Sequence, residues 1–410
     1  MERVVTSMLL QSSTEEEQAF RDDARRWLHS HSPPQLASPD SACGFALHIE
    51  WERLLHRHRW ATVSWPKKYG GRGVSLSEWL IFEEEYVQAG APERVTATGV
   101  SNVAPFVFLF GNASQKEALL PKISSAKHVW CRALPGFDIG GEAANPTIHA
   151  SREDGGWRIR SGQTWTRRGS FCTHILLIAR TDSNSSGLDG LTCFLMPLHE
   201  LDGVDVRSAS HPDGHEAFAL VSFSDTYVPD ASIPGGVVLG TVGAGAAMLL
   251  ETVGSSFGFS LPAPSRYKQS VGRLFDLYRE NYPEGDSGIR DRSVLRDRLV
   301  RVLMKADAYS LYATSLATTI TDRLNDDTAG PAKDRLVDAR WLEGLDMETN
   351  DVASQLIGEH ARLDFDWFQS WPQAPPSLLS SSLSLSERGE ADSNSWQAVL
   401  QRISNRPTSG

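Results

Sequence analysis

Cysteine is scarce in this chain of 410 residues. Four cysteines occur, Cys43, Cys131, Cys172 and Cys193, and no two of them form a C-x-x-C pair. Structural zinc sites and the disulfide frameworks of small secreted proteins need more closely spaced cysteines. The sequence therefore predicts reduced thiols, a cytoplasmic protein and no metal site built from cysteines.

Long apolar runs and an excess of basic residues are also missing. The apolar stretch from Met8 to Leu10 is too short for a signal-peptide core, and no run approaches the roughly 18 residues of a membrane span. The chain has 40 Lys and Arg against 51 Asp and Glu, a net charge of −11. A nucleic-acid backbone attracts basic surfaces, so neither a membrane nor a nucleic acid is an expected partner.

The composition is that of a folded protein, with 40% hydrophobic and 22% charged residues. Thr14 and Glu17 form a capping-box pattern that opens a first helix, and Ser114 with Glu117 offers a second one before Pro121. The chain up to about residue 130 is therefore predicted to be mainly helical.

The pattern changes to short apolar runs separated by turn residues from Trp157 onward, which indicates antiparallel strands. Between Leu295 and Ile320 apolar residues recur every three or four positions, which predicts a long helix with one buried stripe. Trp341, Leu345, Val352 and Leu356 suggest an antiparallel companion helix. The predicted fold class is α+β, with a helical domain at 1–130, an antiparallel β domain at 131–236, a helical bundle at 237–376 and a polar tail at 377–410.

Few motifs carry chemistry when no family is considered. The glycines around Gly243 lack the third glycine of a G-x-G-x-x-G loop, because Met248 stands there, so a hinge between strand and helix is favoured. His211 and His215 are separated by a proline and a glycine that forbid the regular helix of an i, i+4 metal pair, and His199 is expected in a solvated loop. The carboxylates Glu83 to Glu85 are predicted to lie on the wet face of a helix, and no G-x-S-x-G motif supports a hydrolase.

One run is more specific. Residues Trp65–Gly71 resemble the W-P-x-x-Y-G-G signature of the acyl-CoA dehydrogenase family. Gln115-Lys116 with Leu120–Ile123, and then Gly240–Gly245, follow in the family's order. The resemblance covers about residues 14 to 360 and implies the same three-part fold, with a four-helix bundle at the C-terminal end.

The resemblance also implies a reaction and a cofactor. In this family FAD lies between the β domain and the bundle, a glutamate removes the α-proton of an acyl thioester, and the flavin accepts the β-hydride. The family's flavin strand aligns with 134–142, which lacks the usual hydroxyls, and its W-x-T/S element aligns with a stretch that has Arg167 in place of the hydroxyl residue. The cofactor-binding candidates are Gly140, Gly141, Trp165, Thr166 and Arg167, and the alternative for Trp165 is an ordinary core tryptophan.

The catalytic base implied by the resemblance is not kept. Ser255 occupies the family position on the first bundle helix, and a serine cannot remove an α-proton unaided. Glu251, one helical turn earlier, and Glu390 near the C-terminus, beside Glu387, are the substitute candidates. The alternative is that these are capping or solvated carboxylates.

Arg279 and Tyr282 resemble the family's R-x-x-F element, through which one subunit contacts the FAD diphosphate of its neighbour. An arginine fork suits a diphosphate, although an arginine at the end of a helix is also favoured by the helix dipole. Three hypotheses follow for this chain. It is an FAD-dependent dehydrogenase with a displaced base, a partner-dependent or inactive subunit of a homo- or hetero-oligomer with another such chain, or a flavin-free protein that binds or converts an acyl thioester.

Overall fold

The computed structural model describes residues 14–133, 148–160, 162–186, 189–209, 216–248, 264–282, 289–324, 348–349 and 352. They fall into two compact units. The helical unit takes its described residues from 14–97, 124–126 and 264–352, and the sheet unit takes them from 98–123 and 127–248. The first and last thirds of the chain thus contribute to one unit, although they are far apart in sequence.

Seven helices are described. Thr14 caps the first of them, since its hydroxyl accepts from Glu17 N at 3.1 Å and the Glu17 carboxylate accepts from Thr14 N at 3.0 Å. The predicted capping box is confirmed, and Ser75 with Glu78 forms another in front of the third helix. The helices are α1 Glu15–His31, α2 Ala42–Arg57, α3 Leu76–Gln88, α4 Ala104–Phe110, α5 Ala113–Ser124, α6 Pro264–Asn281 and α7 Ile289–Leu324.

The predicted long helix with a buried stripe is confirmed by α7. Leu299, Val302 and Tyr309 on this helix are buried against Val271 and Leu274 of α6. Of the predicted companion helix, the structure describes Glu348, Thr349 and Val352, which are all helical, and Val352 is buried in the same core. The described part of the bundle therefore consists of α6, α7 and these three residues.

The glutamates of α3 contradict their prediction as solvated groups. Glu83 and Glu85 are only 7% and 2% exposed. Glu85 accepts from Arg21 at 2.7 Å and from Arg25 at 2.8 Å, and Glu84 accepts from Arg21 at 2.8 Å. The prediction was wrong because α1 packs on this side of α3 and brings its own cations, so the carboxylates are paired instead of hydrated.

The Trp65–Gly71 run forms a tight corner in the helical unit. Trp65 is fully buried, and Lys67–Tyr69 make one 3₁₀ turn. Gly70 has φ +100°, a left-handed conformation that favours glycine. A Cβ on Gly71 would collide with the carbonyl oxygen of Trp65. Both glycines are therefore required by backbone geometry.

Ten strands build three small sheets in the sheet unit, in the orders β1-β5-β6-β10, β2-β3-β9 and β4-β8-β7. The predicted antiparallel pairing holds for these ladders with one exception: β1 pairs parallel to β5, with Trp130 opposite His174. The strands are β1 Trp130–Ala133, β2 Ala150–Glu153, β3 Gly156–Ile159, β4 Gly162–Arg167, β5 His174–Arg180, β6 Leu191–Pro197, β7 Val204–Ala209, β8 Phe218–Phe223, β9 Thr226–Pro229 and β10 Val238–Leu239.

The N-terminal cap of α5 is Asn112, two residues before the predicted cap. Asn112 and Gln115 bond reciprocally, each side-chain oxygen accepting from the other's backbone N–H at 2.9 and 3.0 Å. The amide of Gln115 also donates to the carbonyl oxygens of Gly236 and Val238, which joins α5 to β10. The predicted box of Ser114 and Glu117 was wrong because these contacts fix the start of the helix earlier, and Pro121 lies inside α5.

Within the described ranges, no helix combines the length and the apolar character needed to cross a membrane.

After β10 the chain passes through Gly240 and Gly243, both at positive φ, into a helical segment at 245–248. The predicted hinge between a strand and a helix is confirmed.

Two histidines of the sheet unit stack. The rings of His128 and His174 lie 3.8 Å apart between centroids, and His174 Nδ1 is 2.8 Å from the Thr173 hydroxyl. Burial, with a contribution from Lys122, lowers the pKa of His128 to about 4. Burial, with contributions from His128 and Lys122, lowers the pKa of His174 to about 3. Both rings are therefore neutral in the folded protein at pH 7.

We expect removal of the Glu85 carboxylate to destabilise the helical unit strongly. Glu85→Gln removes the buried carboxylate that pairs with both Arg21 and Arg25, and breaking a buried ion pair costs about 3–5 kcal/mol. Glu84→Gln is the matched control, because the Glu84 side chain is 31% exposed and its ion pair should contribute only about 0–1 kcal/mol. Denaturant unfolding measures the free energy of unfolding of both variants. Equal losses of stability would contradict a dominant role for the buried ion pairs of Glu85.

We expect the sheet unit to lose stability in mild acid. Because both folded pKa values lie below about 6.5, the value of an unfolded histidine, the unfolded chain binds protons first. Stability is complete above pH 6.5 and falls as the pH drops toward 4, by about 2 kcal/mol at pH 5 for His174. Thermal unfolding between pH 7.5 and 4.5 measures this, and His174→Asn should flatten the pH dependence whereas His29→Asn, at an exposed position, should not.

Candidate functional site

The outward side of the β4-β8-β7 sheet carries a partly exposed aromatic surface. Along β4, Thr164 and Thr166 are buried, whereas Trp165 and Arg167 point to the opposite side. Trp165 is paired in register with Leu220, and Arg167 is paired with Phe218, which is 45% exposed. We call these four side chains the outer face.

Thr166 does not contribute to the outer face. Its hydroxyl donates to the carbonyl oxygen of Ala219 at 3.3 Å inside the sheet. Arg168 follows with φ +53°, and Gly169 then starts a 3₁₀ turn in which a Cβ would collide with the Thr166 hydroxyl. This sharp turn ends β4 at Arg167 and leaves Arg167 at the edge of the outer face.

Arg279 and Tyr282 lie at the C-terminal end of α6, in the helical unit. The Arg279 side chain is 74% exposed, and its Nη1 is 3.4 Å from Asp276 on the preceding turn. Tyr282 packs beside Tyr278, with ring centroids 5.1 Å apart, against the core of α6 and α7. Tyr282 is therefore anchored, whereas the guanidinium of Arg279 is presented to solvent.

The other predicted site residues fall outside the described residues. These are the base candidates Glu251, Ser255, Glu387 and Glu390 and the flavin-strand glycines Gly140 and Gly141.

Thiols do not provide an alternative nucleophile in the sheet unit. The neighbouring Cys131 thiol, together with burial, raises the pKa of Cys172 well above its ordinary value. Burial raises the pKa of Cys193 to about 12. Because the thiolate is the reactive species, these thiols are inert at neutral pH.

Metal chemistry has no support in the part of the chain that the structure describes, where no group of three His, Cys, Asp or Glu side chains could hold an ion. His199 is exposed, and its Nε2 lies 2.9 Å from the carbonyl oxygen of Cys172. It is thus a surface loop residue, as predicted, while His211 and His215 lie outside the described residues.

Sequence reasoning found Trp165 and Arg167 but missed their neighbours on β8. Phe218 and Leu220 occupy the outward positions of a strand whose inward positions, Ala219 and Val221, are also apolar. A strand that is apolar on both sides was the available signal, since an ordinary exposed side would be polar. Together the four side chains offer a flat apolar surface beside a cation.

Known proteins with similar sequences point to one family. The acyl-CoA dehydrogenase N-terminal domain family matches residues 14–127. Acyl-CoA dehydrogenase IpdE1 of Mycolicibacterium smegmatis is 27% identical over 355 residues, which cover 82% of this chain and 86% of that protein. Its namesake from Mycobacterium tuberculosis is 26% identical, with coverage of 83% and 86%.

Solved structures share the fold. The ChsE4-ChsE5 complex from Mycobacterium tuberculosis superposes with a TM-score of 0.65 at 20% identity, covering 97% of this chain and 100% of that chain. The Tcur3481-Tcur3483 steroid ACAD gives a TM-score of 0.66 at 20% identity, covering 97% and 99%. The fold is thus that of an acyl-CoA dehydrogenase, helical at both ends with a β region between. The family match at residues 14–127 and these relatives support an acyl-CoA dehydrogenase family member.

The similarity to acyl-CoA dehydrogenases implies FAD, and β4 is where the described residues fit a flavin. Trp165 offers an aromatic surface on which a planar ring can stack, and Arg167 offers guanidinium donors beside it. Thr166, the nearest hydroxyl on β4, faces the core. The outer face therefore fits the apolar ring of a flavin and supplies its polar contacts through a cation instead of a hydroxyl.

Proposed function

We propose that this protein takes part in the α,β-dehydrogenation of an acyl thioester as one subunit of an assembly with a second acyl-CoA dehydrogenase-like chain. Arg279 and Tyr282 then contact the diphosphate of FAD held by that chain. The observation that carries the proposal is the exposed Arg279 guanidinium at the end of α6, whose neighbour Asp276 is itself exposed and binds it weakly. An arginine fork can donate two parallel hydrogen bonds to a diphosphate.

The outer face supports a role of this chain in contacting the cofactor. Bound FAD supplies the acceptor for the hydride that leaves the substrate. In this chain Trp165 would cover an apolar ring surface, and Arg167 would place a positive charge at its edge. A cation there favours an anionic ligand, whereas a hydroxyl would only donate a hydrogen bond.

A surface for the second chain exists on α7. Val300, Met304 and Leu311 share one face of this helix and are 42%, 67% and 62% exposed. Large apolar side chains in such a row are typical of protein interfaces. The similar structures named as ChsE4-ChsE5 and Tcur3481-Tcur3483 each pair two chains, which supports a dehydrogenase-like chain as the occupant.

We infer a cytoplasmic location. All four cysteines are unpaired, and only Cys43 is exposed. Oxidising compartments favour disulfides, so free thiols fit a reducing one.

Visible absorbance tests the proposal directly. The chain purified alone should carry little flavin, and co-expression with a dehydrogenase-like partner should yield a flavin-bearing assembly. In that assembly Arg279→Ala should weaken FAD binding by about tenfold to a hundredfold, since a charge-assisted hydrogen bond contributes about 1.5–3 kcal/mol. Arg301→Ala on the exposed side of α7 is the matched control and should leave FAD binding unchanged.

The Trp165→Ala variant tests whether this chain or its partner holds the flavin. If FAD lies mainly in the partner, this variant should weaken FAD binding less than Arg279→Ala does. A loss of flavin in Trp165→Ala with no loss in Arg279→Ala would contradict the proposed contact and assign the cofactor to this chain alone.

The base candidates give a second test. If the reaction proceeds at a flavin of the partner, Glu251→Gln and Glu390→Gln should leave the kcat of the assembly within about twofold. A general base contributes about 10²- to 10⁴-fold, so steady-state kinetics separates the outcomes clearly. A drop of that size in either variant would assign the base to this chain and contradict the partner-held reaction.

A further inference from the structure

A cleft of about 390 Å³ opens in the helical unit between α1, α3, α6 and α7. Its apolar lining comes from Leu80, Ile81 and Val87 of α3 and from Pro264 of α6. This volume lies at the lower end of the range for small-molecule sites. The cleft lining contains neither a residue of the outer face nor Arg279 or Tyr282.

The charged groups around the cleft are already paired. Arg21 donates to Glu84 and Glu85, and Lys268 Nζ lies 3.2 Å from Asp307. Glu17 accepts from the backbone N–H of Thr14. Among the described lining residues no cation is left for a ligand, so the phosphates of an acyl-CoA would find no counter-charge here.

Neutral polar groups complete the lining. They are the hydroxyls of Ser77, Ser265, Ser310 and Thr314 and the amides of Gln88 and Gln269. Hydroxyls and amides both donate and accept hydrogen bonds without charge. A few such groups around an apolar wall are typical of sites that orient an uncharged molecule.

We propose that the cleft binds an uncharged, mostly apolar small molecule that carries hydroxyl or carbonyl groups. This ligand is distinct from the acyl thioester, and its binding does not depend on the proposed function. The apolar side chains of α3 contact its body, and the hydroxyls and amides of α6 and α7 bond its polar ends.

Nile red, a neutral aromatic ketone whose fluorescence rises in apolar surroundings, is a suitable probe for the full chain. We expect saturable binding of one dye per chain, unaffected by an excess of octanoyl-CoA. Thr314→Trp fills the cleft and should weaken dye binding at least tenfold. Val294→Trp, on an exposed position of the same helix, should leave it unchanged.

Gln269→Trp is a second filling variant, so the test survives if Thr314→Trp fails to fold by circular dichroism. Absence of saturable binding would overturn the proposal. Displacement of the dye by octanoyl-CoA, or equal binding by the filled variants and Val294→Trp, would overturn it as well. The flavin content of the assembly is a separate readout, so failure here leaves the proposed function untouched.

Discussion

The two-residue period of β4 is the constraint on which the candidate site depends. Because side chains alternate along a strand, Thr166 and Arg167 cannot face the same ligand. Thr166 points into the core, where its hydroxyl donates to the carbonyl oxygen of Ala219, and Trp165 and Arg167 lie on the outer face. At the end of this strand, the polar contact that a cofactor can meet is consequently the Arg167 guanidinium, which has a fixed positive charge.

In the helical unit, ion pairing limits which charged side chains a ligand can contact. Arg21 and Arg25 bind Glu85 from α1, so these cations hold two helices together and are not free for a ligand. The cleft beside them therefore presents neutral groups, although several charged residues surround it. Arg279 differs because its partner Asp276 lies on the same exposed helix end, so an external anion can compete for it.

Local patterns predicted much of the fold correctly. The capping box of Thr14 and Glu17 and the buried stripe of α7 depend on residues three or four apart, and these contacts form within one helix. Predictions failed where a distant segment decided the outcome. Glu85 is buried by α1, about 60 residues earlier. Asn112 and Gln115 start α5, and Gln115 also donates to Val238 of β10, more than 100 residues later.

The sequence by itself determined the family, the order of helical and extended regions, and the presence of Trp165, Arg167 and Arg279, because motifs and periodicity are local properties of the chain. Tertiary structure alone decided that β1 runs parallel to β5, that Phe218 and Leu220 join Trp165 on one surface, and that four helices enclose a cleft. Strand register and helix packing bring together residues far apart in sequence, and no short pattern encodes such pairings.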